Sequence, residues 1–359
     1  MADAQTTGPV TPRWPGETRA ACAFTFDLDA ETLWMARGVT EPVALSQGRF
    51  GPVEAVPRIL ALLEKADVHA SFFIPAWTAS HYPDTVRAIA AAGHEIGCHG
   101  DEHERVSDLD PKLEEAILTK SLETLTPLAG RRPVGWRAPA WQLSASSLDL
   151  VAKHGFEYAS NMMDRLVPYL HPEAHGRRLV EIPVAWVLDD APFFMFTGQR
   201  SIQAPGPVLQ SWITEFDGIT EAHGVTNFTF HPQIIGRPSR LACLRELMEH
   251  ARHTKEPAVK LPLTGARHGR EQVAHKTWKL GLQHCLVIHR TAFPVASRRN
   301  SSKSQLRSSE KKPRARKMTR NGWWLRRNAT MGILLAVASR IACVMNSKGL
   351  PRSQCFTSQ

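Results

Sequence analysis

Through the first 255 residues, short apolar runs alternate with longer stretches whose apolar residues recur at helical spacing. That alternation confines the chain to an α/β architecture built on a parallel sheet or barrel. Strands are predicted over 20–27, 68–75, 94–98, 134–138, 156–159, 180–183 and 227–230. Helices are predicted over 54–66, 84–92, 110–128, 144–154, 212–223 and 239–253. In the helix over 110–128, Leu113, Ile117, Leu118, Leu122 and Leu125 share a face, Asp110 or Ser107 is placed to cap it, and Pro111 suits its first turn. The polar segment 31–53, with Gly38, Pro42, Gly48 and Gly51, reads as a long loop near the end of the first strand. Loops of that length inside a compact domain are usually functional.

Charge divides the chain at about residue 255. Residues 256–359 hold 21 Lys+Arg against 3 Asp+Glu, whereas residues 1–255 hold 23 against 31, so a mildly acidic body precedes a strongly basic tail. The expected organisation is a disordered leader over 1–17, a barrel domain over 18–255, and a basic, disordered or aberrant tail over 256–359. The leader is polar and carries Pro9, Pro12 and Pro15 without an apolar core, unlike a signal peptide. The six cysteines show neither zinc-ribbon nor disulfide-scaffold spacing. The apolar stretch 331–345 is interrupted by Arg340 and falls short of the roughly 20 residues a bilayer crossing needs, so no membrane span is expected. The expected location is cytoplasmic.

The strand ends carry the chemistry. Phe26-Asp27-Leu28-Asp29 closes the first strand, and Gly97-Cys98-His99-Gly100-Asp101-Glu102-His103 follows the third. His99 and His103 have a spacing that can aim two rings at one point, and Asp29 is a natural third ligand if the first and third strands end at one rim. Two histidines and a carboxylate suit a zinc-type ion with a position left for water. Against this stands the bland reading of two solvent-facing loop histidines. Asp27 is then a general-base candidate, with a turn cap as the competing reading, and Arg137 a candidate partner that keeps it ionised, with a surface salt bridge as the alternative. His231, after Phe228-Thr229-Phe230, is a general-acid candidate whose ring Asp189 or Asp190 would orient. Trp34, Trp136 and Trp141 are candidate substrate contacts; core packing is the competing reading for Trp136 and Trp141. Catalytic groups gathered at the carboxyl ends of strands are the pattern of α/β barrels.

Five ordered segments resemble the polysaccharide deacetylase family, also called the NodB-homology or carbohydrate esterase 4 group. They are Phe26–Ala30, Gly97–His103, Arg137–Trp141, the stretch from Glu181 to Asp190, and His231-Pro232. The resemblance spans roughly 15–255 and is strongest to the peptidoglycan deacetylase-like branch that includes allantoinase-like members. It implies a distorted seven-stranded (β/α) barrel with Asp29, His99 and His103 as metal ligands, Asp27 as base, His231 as acid and Arg137 as the partner of Asp27. Asp190 is retained as the group orienting His231. The implied cofactor is a divalent metal, zinc first, with Mn, Co, Ni or Fe as alternatives. The implied reaction is hydrolysis of a non-peptide C–N bond in a small-molecule or saccharide amide, as in deacetylation of an N-acetylated sugar. Opening of a cyclic amide or imide is the alternative, followed by an impaired scaffold or a basic nucleic-acid binder; a homo-oligomer is compatible with the sequence. The resemblance also implies a final strand and helix after residue 253. Glu256-Pro257-Ala258-Val259-Lys260 and the tail beyond read instead as translation in another frame or through an intron.

Overall fold

Residues 20–196 and 201–253 are described by the computed structural model. The predicted leader and the basic tail lie outside these residues, as does the question of its reading frame.

The first strand, β1 (Ala21–Asp27), is buried along its whole length. A strand covered on both faces needs no polar alternation, which is why its sequence reads as a nearly continuous apolar run. Seven further strands follow: β2 (Ser71–Ile74), β3 (Glu95–Cys98), β4 (Gly135–Trp136), β5 (Tyr158–Ala159), β6 (Tyr169–Leu170), β7 (Val180–Glu181) and β8 (Val225–Phe230). They form one sheet in the order β6-β7-β5-β4-β3-β2-β1-β8. Every pairing is parallel except that of β6 with β7. Beyond β7 the chain returns to β8 through a parallel bridge between Asp189 and Thr229, which curls the sheet towards closure. The architecture is therefore the expected distorted barrel with seven parallel strands, plus the short antiparallel β6 that the sequence reading missed.

Alternation along β1 divides the interior in two. Cys22, Phe24, Phe26 and Leu28 point outward into the main core beneath the helices. There Phe24 lies 5.5 Å from Phe228, and Phe230 packs edge-on against Trp212 at 5.4 Å. Ala21 and Ala23 point into the barrel with Phe73, Tyr158 and Ile182.

The predicted loop over 31–53 is instead largely helical. Helices Thr32–Met35 and Pro42–Phe50 are followed by a π-helical turn, Gly51–Ala55, that runs into helix Val56–Ala66. Pro42 and Gly48 misled the reading for separate reasons. Pro42 occupies the first helical turn, where its missing N–H costs nothing. Gly48 is there for contact, since a Cβ would lie 2.4 Å from the Ala30 carbonyl oxygen. That contact seats the helix against the backbone of Ala30 and Glu31, which follow Asp29 in the chain. The helix predicted over 212–223 starts earlier, as Pro205–Glu221, because Pro205 again opens the first turn. Helix Pro111–Ala129 is capped by Asp110, whose side chain accepts from the Lys112 and Leu113 amides. Its buried face includes Leu118, Leu122 and Leu125 but not Leu113, which is exposed. Among the described residues no helix is long and apolar enough to cross a membrane.

Candidate active site

The carboxyl ends of the parallel strands bring the predicted polar residues to one rim. Asp27 ends β1, His99 follows β3, Arg137 follows β4, and His231 follows β8. All four are buried, as are Asp29 and Asp190. At the centre stands Asp29. Its Oδ1 is 3.4 Å from His99 Nε2, and its Oδ2 is 3.9 Å from His103 Nε2 and 3.7 Å from His231 Nε2. Neither carboxylate oxygen has a hydrogen-bond partner, although both are buried. A buried carboxylate without hydrogen bonds is costly unless a cation compensates it.

Backbone and side-chain contacts fix each ring. His99 Nδ1 donates to the Arg137 carbonyl at 2.9 Å, which turns Nε2 towards Asp29. His103 sits in the left-handed region, φ 63°, and its ring meets that of His99 edge-on at 5.4 Å. One ligand atom from each of Asp29, His99 and His103 lies within 4.8 Å of the others. Burial lowers the His103 pKa to about 4, so its imidazole is neutral and able to ligate. Burial alone would raise Asp29, but His103, His99 and His231 outweigh it and hold the carboxyl well below the usual range.

Two further pairs flank this centre. Arg137 Nη1 donates to Asp27 Oδ1 at 2.7 Å and to Thr25 Oγ1 at 2.9 Å, while its Nη2 donates to Ser160 Oγ at 3.0 Å. The guanidinium also lies over the Phe73 ring at 4.2 Å. Asn227 Nδ2 donates to the same Ser160 oxygen at 3.1 Å. On the opposite side, His231 Nδ1 donates to Asp190 Oδ1 at 2.7 Å, and its backbone N–H is shared between both Asp190 oxygens at 3.1 Å. Asp189 Oδ1 is more distant, at 3.6 Å from Nδ1. Burial disfavours a charged His231, but Asp189 and Asp190 outweigh it and raise its pKa well above the ordinary value.

The tryptophans divide. Trp136 is only 2% exposed and belongs to the main hydrophobic core, so the expectation that it contacts substrate gives way to packing. Trp141 is also buried but packs at 4.4 Å, with its ring tilted by 39°, against Trp186, which is 47% exposed. Trp34 is half-buried on helix Thr32–Met35. Sequence reasoning missed Thr25 and Ser160, which hold Arg137, and Asn227, which holds Ser160. Thr25 was the accessible one: it lies two residues before Asp27 on β1, so alternation puts both on the same inner face.

Residues 50–159 match the family model described as polysaccharide deacetylase. The peptidoglycan deacetylase of Helicobacter pylori is 31% identical over 259 residues, covering 64% of this chain and 88% of that protein. The chain belongs to the polysaccharide deacetylase family. It is a hydrolase of C–N bonds other than peptide bonds, of the polysaccharide deacetylase type. Two solved structures agree with the fold. A candidate polysaccharide deacetylase from Mycobacterium smegmatis is 37% identical with a TM-score of 0.63, over 67% of this chain and 86% of that one. An allantoinase is 26% identical with a TM-score of 0.63, over 70% and 90%.

Proposed function

We propose that this polysaccharide deacetylase family member is a metal-dependent amidohydrolase that removes the acetyl group from an N-acetylated amino sugar. The observation that carries this reading is the Asp29 carboxylate, buried without hydrogen bonds between His99 and His103. One carboxylate and two imidazoles suit a borderline divalent cation, zinc or one of its first-row neighbours. Held there, such a cation would polarise the acyl carbonyl and acidify a water molecule.

The surrounding side chains supply the proton transfers. Asp27, paired with Arg137 at 2.7 Å, accepts the proton of the attacking water. His231, held by Asp190 and favoured in its charged form, donates a proton to the departing amine nitrogen as the C–N bond breaks. The products are acetate and the free amino sugar.

Opening of a cyclic amide is the second reading. It is favoured by the likeness to an allantoinase, 26% identical with a TM-score of 0.63. The test is acetate release from N-acetylglucosamine oligomers beside ring opening of allantoin and cyclic imides, with and without a chelator. Chelator-sensitive acetate release supports the first reading, and chelator-sensitive ring opening alone supports the second. Turnover unaffected by complete metal removal would overturn the metal-dependent mechanism.

A further inference from the structure

The turn that joins His99 to His103 is fastened by a residue that the mechanism above does not use. Gly100 adopts φ 70° and His103 φ 63°, so the chain enters and leaves this turn in the left-handed region. For a residue with a side chain that conformation is costly and persists only where the surroundings impose it. From outside, the Gly100 carbonyl accepts from the Ala76 amide at 3.0 Å and from Ser121 Oγ at 2.9 Å. The Asp101 carbonyl accepts from the Trp77 amide at 3.1 Å, and the Asp101 carboxylate pairs with Lys120. From inside, the half-buried Glu104 carboxylate turns back over the loop. Its Oε2 accepts from the Asp101 amide at 3.0 Å and its Oε1 from the Glu102 amide at 2.8 Å. Oε2 also stands where a side chain at residue 100 would be, 2.8 Å from the position of a Cβ.

We propose that Glu104 is a positioning residue for the metal site: its carboxylate bridges the amides of Asp101 and Glu102 and thereby holds His103 in the left-handed conformation that aims its ring at Asp29. This rests on the reading of Asp29, His99 and His103 as metal ligands. His99 needs no such device, because it leaves a buried strand directly and is fixed through Nδ1 by the Arg137 carbonyl. His103 reaches the same point only through the turn, so its placement carries whatever slack the turn has. Charge-assisted hydrogen bonds from two amides to one carboxylate remove that slack. Losing an outer contact of this kind typically costs metal affinity about 10- to 100-fold.

The experiment measures zinc affinity of the full-length protein by competition with a chromophoric chelator, alongside Glu104→Ala and Glu104→Gln, with thermal unfolding recorded on the metal-depleted forms. The expected result is zinc affinity about 10- to 100-fold weaker in Glu104→Ala than in the wild type. Glu104→Gln, which keeps an acceptor oxygen for one of the two amides, is expected to fall between them. Wild-type zinc affinity in Glu104→Ala overturns the proposal, even if its unfolding temperature drops, because the residue then serves the fold alone. Absence of zinc binding by the folded wild type overturns the metal reading itself, and this inference with it.

Discussion

Asp27 and Asp29 are two residues apart, yet the structure gives them different surroundings. Asp27 is held by Arg137, whereas the Asp29 carboxylate faces ring nitrogens without a hydrogen bond. Asp27→Asn is therefore expected to lower kcat by roughly 10²- to 10⁴-fold while the bound metal is retained. Asp29→Asn is expected to lose the metal. Elemental analysis beside steady-state kinetics separates the two, and equal metal loss in both variants would contradict the division of roles. Arg137→Met would leave Asp27 buried without its cation, a change expected to cost about 3–5 kcal/mol of stability, measured by urea unfolding. At this scale the sequence was legible where chemistry follows a strand end, as with Asp29, His99 and His231. It was not legible for Ser160, which meets Arg137 from the neighbouring strand end, or for Asn227, which reaches Ser160 from β8 across the barrel.

Among the elements, strands announced themselves through apolar runs, and helices through their period, because burial dictates both. The segment following β1 did not, since Gly48 reads as a loop signal until the Ala30 backbone is seen against it. Short β6 escaped for another reason: two half-buried residues carry no pattern. The N-cap of helix Pro111–Ala129 was legible, and Asp110→Ala is expected to lower stability by about 1 kcal/mol in urea unfolding. At the start of the β2–β3 pairing, His94 accepts from the Ala70 amide at 3.3 Å. Burial, with His69 adding to it, lowers the His94 pKa to about 4. Its pKa is thus below the unfolded value of about 6.5, so the unfolded chain binds the extra proton first. Its contribution is fully present above about pH 6.5 and is lost as pH falls from there towards 4. Replacement by Asn, which retains an acceptor, is expected to flatten this acid loss. Identical urea midpoints against pH in wild type and His94→Asn would contradict the assignment.

For the molecule as a whole, the parallel order of the sheet explains why residues spread from 27 to 231 meet at one rim. Parallel strands end on the same side, and the segments following β1, β3, β4 and β8 deliver the polar groups there. The ordered set of five segments was therefore a better guide than any single histidine pair, and family membership agrees with it. The account stands or falls on Asp29, His99 and His103 holding a divalent cation. The decisive measurement is metal content per folded full-length chain, by elemental analysis, in the wild type, His99→Ala and His103→Ala. About one equivalent in the wild type, lost in both folded variants, is the expected result. A folded wild type that retains no metal after purification and reloading with zinc would contradict it.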